Sequence, residues 1–532
     1  MSQASEKVLP DLFVLSDLHV GSGVSAKTGL TSRLETFFYD REFSEFVDRV
    51  ITHAACRKRP CVLVLNGDII DFLGITATPD EAEQKRLGFN VSRHEERHGM
   101  ESTPAKDAWK LRHAFKGHPK FFSAIVRLIR AGNRVHVNRG NHDLDMHWPE
   151  VREAFFEELL AIAEREYPEV TEEVLRERFE IRPWFYYEPG RVWIEHGHQY
   201  EASNSLRYQL NPVIMRRRKG KTEPLLDLPT GSLFVRYIVN RLKLVDPYST
   251  QVSSLEQYLD VISSFNVMDL GRALVVQFPF FIRALKRARV FEVSSMDKGA
   301  PLHEARVKEL GRKTGLGDRL AAVDAMRQAP MGVTKYTLAT EMMRPIVRSI
   351  LTFLSIAVVA IGVWMFLFSA IFNTSWLADS VLGKASLMAV LAVVTIVGLF
   401  LAGTHFARRY RMSGDTSHDK LRDVAGRMAE SLEVPVVVMG HSHGVDRREN
   451  EKGAVYANSG TWTVVRGPWD MLQPRARQFT FVYVHDEKEV ELLRWDPPSH
   501  CWEPVTLLED WEPSRLERLM VEASGKDDRL VR

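Results

Sequence analysis

The chain has 532 residues, more than one ordinary domain holds, so two or more units are expected. Charged residues at 26% and hydrophobic ones at 45% describe a globular protein with an ordinary surface, and a net charge of +2 gives no global argument for nucleic-acid binding. Three cysteines, Cys56, Cys61 and Cys501, lack any zinc-site spacing and cannot all pair, so they are expected as reduced thiols.

The first apolar run, residues 12–15, is too short for a signal peptide and leads directly into Ser16-Asp17-Leu18-His19. The first motif is therefore expected to stay in the compartment of synthesis. Residues 12–17, 62–68, 134–140 and 192–196 are short, rich in β-branched residues, and each ends in Asp, Gly or His. Helical patterns such as 42–56 and 119–131 lie between them. This alternation predicts an α/β layered fold with its chemistry at the strand ends. His94-Glu95-Glu96-Arg97-His98 matches the H-E-x-x-H signature of zinc proteases. Its polar setting and the lack of a third ligand make it read as a polar loop bordering a cleft.

From 201 to about 340 the rhythm changes. The basic run Arg216-Arg217-Arg218-Lys219-Gly220-Lys221 belongs to an insertion expected to be helical. Residues 271–290 mix apolar and basic side chains, which suits either a helix at a membrane surface or a cap helix with a solvated face. Two uncharged apolar stretches follow, 349–372 and 385–403, each near the roughly 20 residues that cross a bilayer as a helix. A short loop joins them, which predicts a transmembrane hairpin; a buried helical pair is the alternative. Arg344 and Arg348 precede the hairpin, and Arg408, Arg409 and Arg411 follow it. The bias of positive charge puts both ends in the cytoplasm at the inner cell membrane, with two spans. Residues 434–439 read as a buried strand ending in Gly440-His441-Ser442-His443, and 454–458, 478–485 and 489–495 as further strands. The tail beyond Glu512 is polar and expected to be peripheral. The units expected are thus 1–200 and 406–505 as two parts of one core, 201–345 as insertion, 346–405 as hairpin and 506–532 as tail.

Five blocks occur in order: Asp17-Leu18-His19, Gly67-Asp68-Ile69-Ile70-Asp71, Gly140-Asn141-His142-Asp143, His196-Gly197-His198 and Gly440-His441-Ser442-His443. Each ends an apolar strand or sits in the turn after it. Carboxylates, imidazoles and one amide oxygen, without thiolates, suit Mn²⁺, Fe²⁺ or Zn²⁺. Any one block alone is a weak signal; their joint order carries the reading.

The set closely resembles the calcineurin-like metallophosphoesterase family, whose pattern is D-x-H, G-D-x-x-D, G-N-H-D/E, H and G-H-x-H. The resemblance implies packed β-sheets flanked by helices and two divalent ions, Mn²⁺ first among the candidates. It implies that Asp17, His19 and His443 hold one ion, that Asn141, His196 and His441 hold the other, and that Asp68 bridges them. His142 would donate a proton to the leaving oxygen, Asp143 would orient that imidazole, and Asp71 would support a ligand histidine. His198 would neighbour the phosphate or the ions. The activity implied is hydrolysis of a phosphoester or pyrophosphate by a hydroxide that both ions share.

Within the superfamily, Ser16-Asp17-Leu18-His19 and Gly67-Asp68-Ile69-Ile70-Asp71-Phe72 are similar to UDP-2,3-diacylglucosamine pyrophosphatases. His142 departs from the Arg that those enzymes often carry. The anchor and the basic insertion make a lipid-linked phosphate the expected substrate, with the membrane as partner and no nucleic acid. A phosphodiesterase acting on soluble nucleotides and a non-catalytic membrane scaffold are the alternatives.

Overall fold

The computed structural model describes residues 9–25, 28–218, 221–240, 299–330, 416–463, 478–486 and 488–505, with scattered positions between 355 and 395. Its strands are β1 (Asp11–Leu15), β2 (Cys61–Asn66), β3 (Arg134–Asn138), β4 (Phe179–Arg182), β5 (Phe185–Glu188), β6 (Val192–Glu195), β7 (Val213–Arg218), β8 (Lys221–Leu226), β9 (Val436–Met439), β10 (Val445–Glu449), β11 (Val455–Ser459), β12 (Thr480–His485), β13 (Glu489–Asp496) and β14 (Cys501–Pro504). The helices are α1 (Asp40–Arg57), α2 (Glu81–Leu87), α3 (Arg93–His98), α4 (Pro104–Gly117), α5 (Pro119–Arg130), α6 (Pro149–Glu166), α7 (Glu172–Arg178), α8 (Thr230–Phe234), α9 (Gly299–Thr314), α10 (Asp318–Asp324) and α11 (Thr416–Leu432).

One sheet runs β14-β13-β12-β1-β2-β3-β4 and a second runs β10-β11-β9-β6-β5. In the first, β1 to β4 are parallel and β12 pairs antiparallel with the free side of β1. In the second, β6, β9 and β11 are parallel, while β5 and β10 close the edges antiparallel. Period-two alternation explains how the sheets stack. Leu12, Val14, Val62 and Val64 point to a core shared with Val192, Ile194, Val436 and Val438 of the other sheet. Phe13, Leu15, Leu63 and Leu65 point the opposite way, into a core with α1, α4, α5 and α6. On the far face of the second sheet, Trp193, Val437 and Met439 pack against Val307, Leu320, Leu421 and Met428 of α9, α10 and α11. The layers are therefore helix, sheet, sheet, helix.

Helix α5 shows why a local sequence takes its form. Pro119 sits in its first turn, where a missing N–H costs nothing. Phe121, Phe122, Ile125, Leu128 and Ile129 then fall on one buried face, while Arg127 and Arg130 lie near its C-terminal end. Each large apolar side chain so buried contributes about 1.5–3 kcal/mol.

The insertion departs from expectation. The basic run forms a β-hairpin, β7 with β8, rather than a helix. Ile214 is buried and Met215 exposed, the alternation of a strand. Arg216 is neutralised by Glu101 at 2.6 Å and Glu223 at 3.2 Å, so part of the run's charge is spent inside the fold. Helices α8, α9 and α10 complete the described part of the insertion.

The amphipathic stretch 271–290, the tail beyond Glu512 and most of the expected hairpin lie outside the described residues. Among the described residues no helix is long and apolar enough to cross a membrane. Those that are described within 358–366 are helical, and Val358, Ile361, Met365 and Phe366 are 60–72% exposed. The three cysteines are free thiols, with Cys61 buried.

Candidate metal centre

Parallel strands deliver their C-terminal ends to one edge, and the five blocks follow β1, β2, β3, β6 and β9 at that edge. Backbone bonds knit the first two loops together: Asp17 N–H donates to Gly67 O at 3.1 Å and His19 N–H to Asp68 O at 2.9 Å. Asp17, His19, Asp68, His441 and His443 all have φ between 51° and 67°, the left-handed region that non-glycine residues avoid. Such backbone costs of order 1–3 kcal/mol per residue and gathers where function over-determines the geometry. Glycine is required beside it. A Cβ at Gly140 would lie 2.2 Å from Asp68 Oδ1, and one at Gly67 would lie 2.6 Å from the His196 ring.

Three overlapping groups result, each with ligand atoms within 4.8 Å of one another: Asp17, His19 and His443; His19, Asp68 and His142; Asp68, His196 and His441. Asp68 groups with His196 and His441 on one side and with His19 and His142 on the other, and His19 in turn belongs to the group of Asp17 and His443. His443 Nε2 lies 3.2 Å from Asp17 Oδ1 and 3.1 Å from His19 Nε2. His196 Nε2 lies 3.3 Å from Asp68 Oδ2 and 4.0 Å from Asp17 Oδ1.

The outer atoms of Asp17, Asp68 and His196 are tied down, which leaves their inner ones to the centre. Asp17 Oδ2 accepts from the Ser16 hydroxyl and from His441 N–H at 3.0 Å. His196 Nδ1 donates to Asn66 O at 3.0 Å, which fixes the tautomer and turns the Nε2 lone pair inward. Asp68 Oδ1 accepts from His142 N–H at 2.8 Å. Among the described residues, Asp17 Oδ1, Asn141 Oδ1, His196 Nε2 and His443 Nδ1 are buried without a hydrogen-bond partner. Orphaned buried acceptors of this kind call for a cation. Asn141 stands between Gly140, packed on Asp68, and His142, bonded to it.

Electrostatics agree with this fit. Burial works against ionising Asp17, but His443 and His196 outweigh it and hold the carboxyl at about 2. Asp68 is likewise held well below the usual carboxylate range by His196 and His142, against its burial. Burial, with His142 and His443 alongside, brings His19 down to about 3, so its imidazole is neutral, the form that binds metal. His196 goes the other way, to about 10, because Asp68 and Asp17 outweigh burial. Two carboxylates here demand positive charge; a proton supplies it, and a divalent ion would displace that proton.

Some expected roles move. His142 Nδ1 meets Asp71 Oδ1 at 2.9 Å, so Asp71 orients this imidazole, not Asp143. Asp143 instead accepts from the N–H groups of Gly140 at 2.5 Å and Ile69 at 2.8 Å, clamping the second block to the third. Burial, then the charge of Asp68, raises it to about 7. His198 is buried 5.5 Å from the His196 ring and 6.4 Å from that of His441, in none of the three groups. The H-E-x-x-H match is a six-residue capped helix, α3, rather than a loop. Glu95 is occupied by Lys106 and by the N–H groups of Ser92 and Glu101, which leaves it no role as a protease base.

One residue escaped the sequence reading. Glu201 Oε2 lies 2.7 Å from His441 Nε2, 240 residues away in the chain, and Ser203 and Asn204 donate to the same carboxylate. No spacing rule links it to the fifth block; only the fold does.

A buried edge of paired carboxylates and imidazoles on a sheet-on-sheet α/β scaffold defines a dinuclear metallohydrolase. Residues 11–227 match the family described as calcineurin-like phosphoesterase. This stretch holds four of the five blocks and forms the phosphoesterase domain, which makes the chain a metal-dependent phosphoric ester hydrolase. No curated protein and no solved structure matches the chain.

Proposed function

We propose that the protein is a membrane-anchored phosphoesterase that hydrolyses a lipid-linked phosphate or pyrophosphate, with two divalent ions, Mn²⁺ first among them. Asp17, His19 and His443 would hold one ion, Asn141, His196 and His441 the other, and Asp68 both. Such a pair supplies a nucleophile from water at neutral pH and positive charge for the phosphoryl group. The chain's own residues do the rest. His142, held through Nδ1 by Asp71, presents its other nitrogen as proton donor to the leaving oxygen. Asp143 keeps the second and third blocks in register, and Glu201 steadies His441.

The observation that carries the chemistry is that Asp68 stands between His19 on one side and His196 and His441 on the other. Membrane anchoring is supported by the two uncharged stretches and by apolar helical side chains between 358 and 366 that stay open rather than joining a core. The flanking arginines support a cytoplasmic catalytic domain. A site fastened next to the bilayer favours a substrate that lives there.

The test is phosphate release by the full-length protein with Mn²⁺ against lipid diphosphates, nucleotide-sugar lipids and cyclic nucleotides. Turnover of the lipid-linked esters should exceed that of cyclic nucleotides by tenfold or more. Equal or faster turnover of cyclic nucleotides would replace the lipid reading with a soluble phosphodiesterase.

A further inference from the structure

A cavity of about 250 Å³ lies apart from the metal centre, between residues 32–34, which follow the first block, and Thr76, which follows the second. Its polar wall is Ser32, Arg33, Thr76, Arg97, His98, Arg236 and Asn240, and no carboxylate lines it. Three guanidinium groups around one small space need an explanation, because like charges repel and burial makes the repulsion worse.

Arg236 makes the case strongest. It is 5% exposed, in the π-helical turn Val235–Val239 that continues α8. Its Nε donates to His98 O at 3.1 Å and its Nη2 to Gly99 O, so the group is held rigidly. Among the described residues it has no acidic partner, and neither does exposed Arg33. A buried cation without a counter-charge is costly unless an anion arrives from outside. Three acids close by in sequence are already engaged: Glu35 by the N–H groups of Gly21, Thr36 and Phe37, Glu95 by Lys106, and Glu101 by Arg216. Asn240 adds a second demand. Its Nδ2 donates to Leu73 O at 2.8 Å, while its buried Oδ1 has no donor among the described residues.

The cavity is tied to the catalytic edge. Gly74 N–H donates to Asp71 Oδ1 at 2.9 Å and Ile75 N–H to Asp71 O at 3.2 Å, so the turn that leads to Thr76 starts on the carboxylate that holds His142. The opposite wall descends from His19, whose carbonyl accepts from Thr36 Oγ1 at 3.4 Å.

We propose that this cavity is a subsite for a second phosphate group of the substrate, carried on the portion that lies beyond the scissile phosphate toward His142. The inference rests on the phosphoesterase reading above. Guanidinium groups recognise phosphate oxygens through paired, charge-assisted hydrogen bonds, and Asn240 Oδ1 accepts from a hydroxyl on the group that bears the phosphate.

The test uses the full-length, metal-loaded enzyme and Arg33→Glu, a surface change that leaves the fold intact. Release of inorganic phosphate is compared for two esters of propane-1,3-diol, the monophosphate and the bisphosphate, so that the leaving alcohol ends in a hydroxyl in one and in a second phosphate in the other. The second phosphate should lower KM tenfold or more in the wild type. Arg33→Glu should remove that advantage while leaving kcat and the KM of the hydroxyl ester within twofold. Calorimetric titration with inorganic phosphate should give two equivalents per chain in the wild type and one in Arg33→Glu. Equal KM values for both esters in the wild type overturn the proposal, as does an unchanged phosphate count in the variant. Loss of one phosphate equivalent with no change in ester preference also overturns it, since the anion is then a separate molecule. If neither ester is cleaved yet Arg33→Glu still loses one equivalent, the phosphoesterase reading fails and the anion site stands.

Discussion

Strand β1 has an aspartate at each end, and the two are built to opposite purposes. Asp11, at its start, and Asp17, just past its end, are both fully buried and both held below the ordinary carboxylate range. Around Asp11 the partners are Arg57 at 3.0 Å, Tyr483 at 3.1 Å and His53 at 3.3 Å, all on Oδ2, a set with a permanent cation in it. Around Asp17 the neighbours are histidines and the backbone is left-handed. A guanidinium cannot leave or change charge; an imidazole can lose its proton and become a ligand. The first end of the strand serves stability, and the second has been left open for an ion.

The largest effects should separate these ends. Asp68→Ala should lower kcat by a factor of about 10³ or more and leave at most one ion per chain, read by elemental analysis. Asp11→Ala should instead cost about 2–3 kcal/mol in urea unfolding, with metal content and kcat of the folded protein unchanged. If Asp11→Ala strips the metals, the division of labour along β1 is wrong.

A smaller effect tests the boundary of the open end. His142→Asn should reduce turnover by about 10²–10⁴ with both ions retained, and Asp71→Asn should reproduce part of that loss with a displaced pH profile. Loss of an ion from His142→Asn would make this imidazole a ligand, which its grouping with His19 and Asp68 makes a real alternative.

The smallest effect concerns another charged cluster. His118 lies 2.8 Å from Asp40 and 3.4 Å from Glu35, and although burial opposes its charge, these acids raise it to about 9. A raised histidine contributes stability fully below its unfolded value near 6.5 and loses it as pH rises toward 9. Stability should therefore fall by up to a few kcal/mol across that window, with turnover per folded molecule following a different curve. His118→Gln should flatten the decline in unfolding free energy; an unchanged slope would assign it to other groups.

How far the sequence could be read follows from the same contrast. The strands that lead into the five blocks were legible because fully buried parallel strands are continuous apolar runs, so 62–68 anticipates β2 and 134–140 anticipates β3. The ligands were legible because their side chains must be Asp, Asn or His at strand ends. What stayed hidden depends on contacts between distant segments. On paper Asp143, next in the chain to His142, is its expected partner, and only the turn after Asp68 brings Asp71 there instead. Glu201 meets His441 across most of the insertion. The basic run hid a hairpin because its charges masked a strand's alternation, which Glu101 and Glu223 then neutralise.

The pairing of Leu12 with Val484 carries a consequence for biosynthesis. Strand β1 lies at the middle of its sheet, yet its neighbour on one side is made some 470 residues later, as the numbering of that pair shows. A nascent chain that has completed its first four motifs still presents an unpaired sheet edge and lacks two imidazoles. Catalytic competence is thus withheld until the segments that carry His441, His443 and β12 have been made.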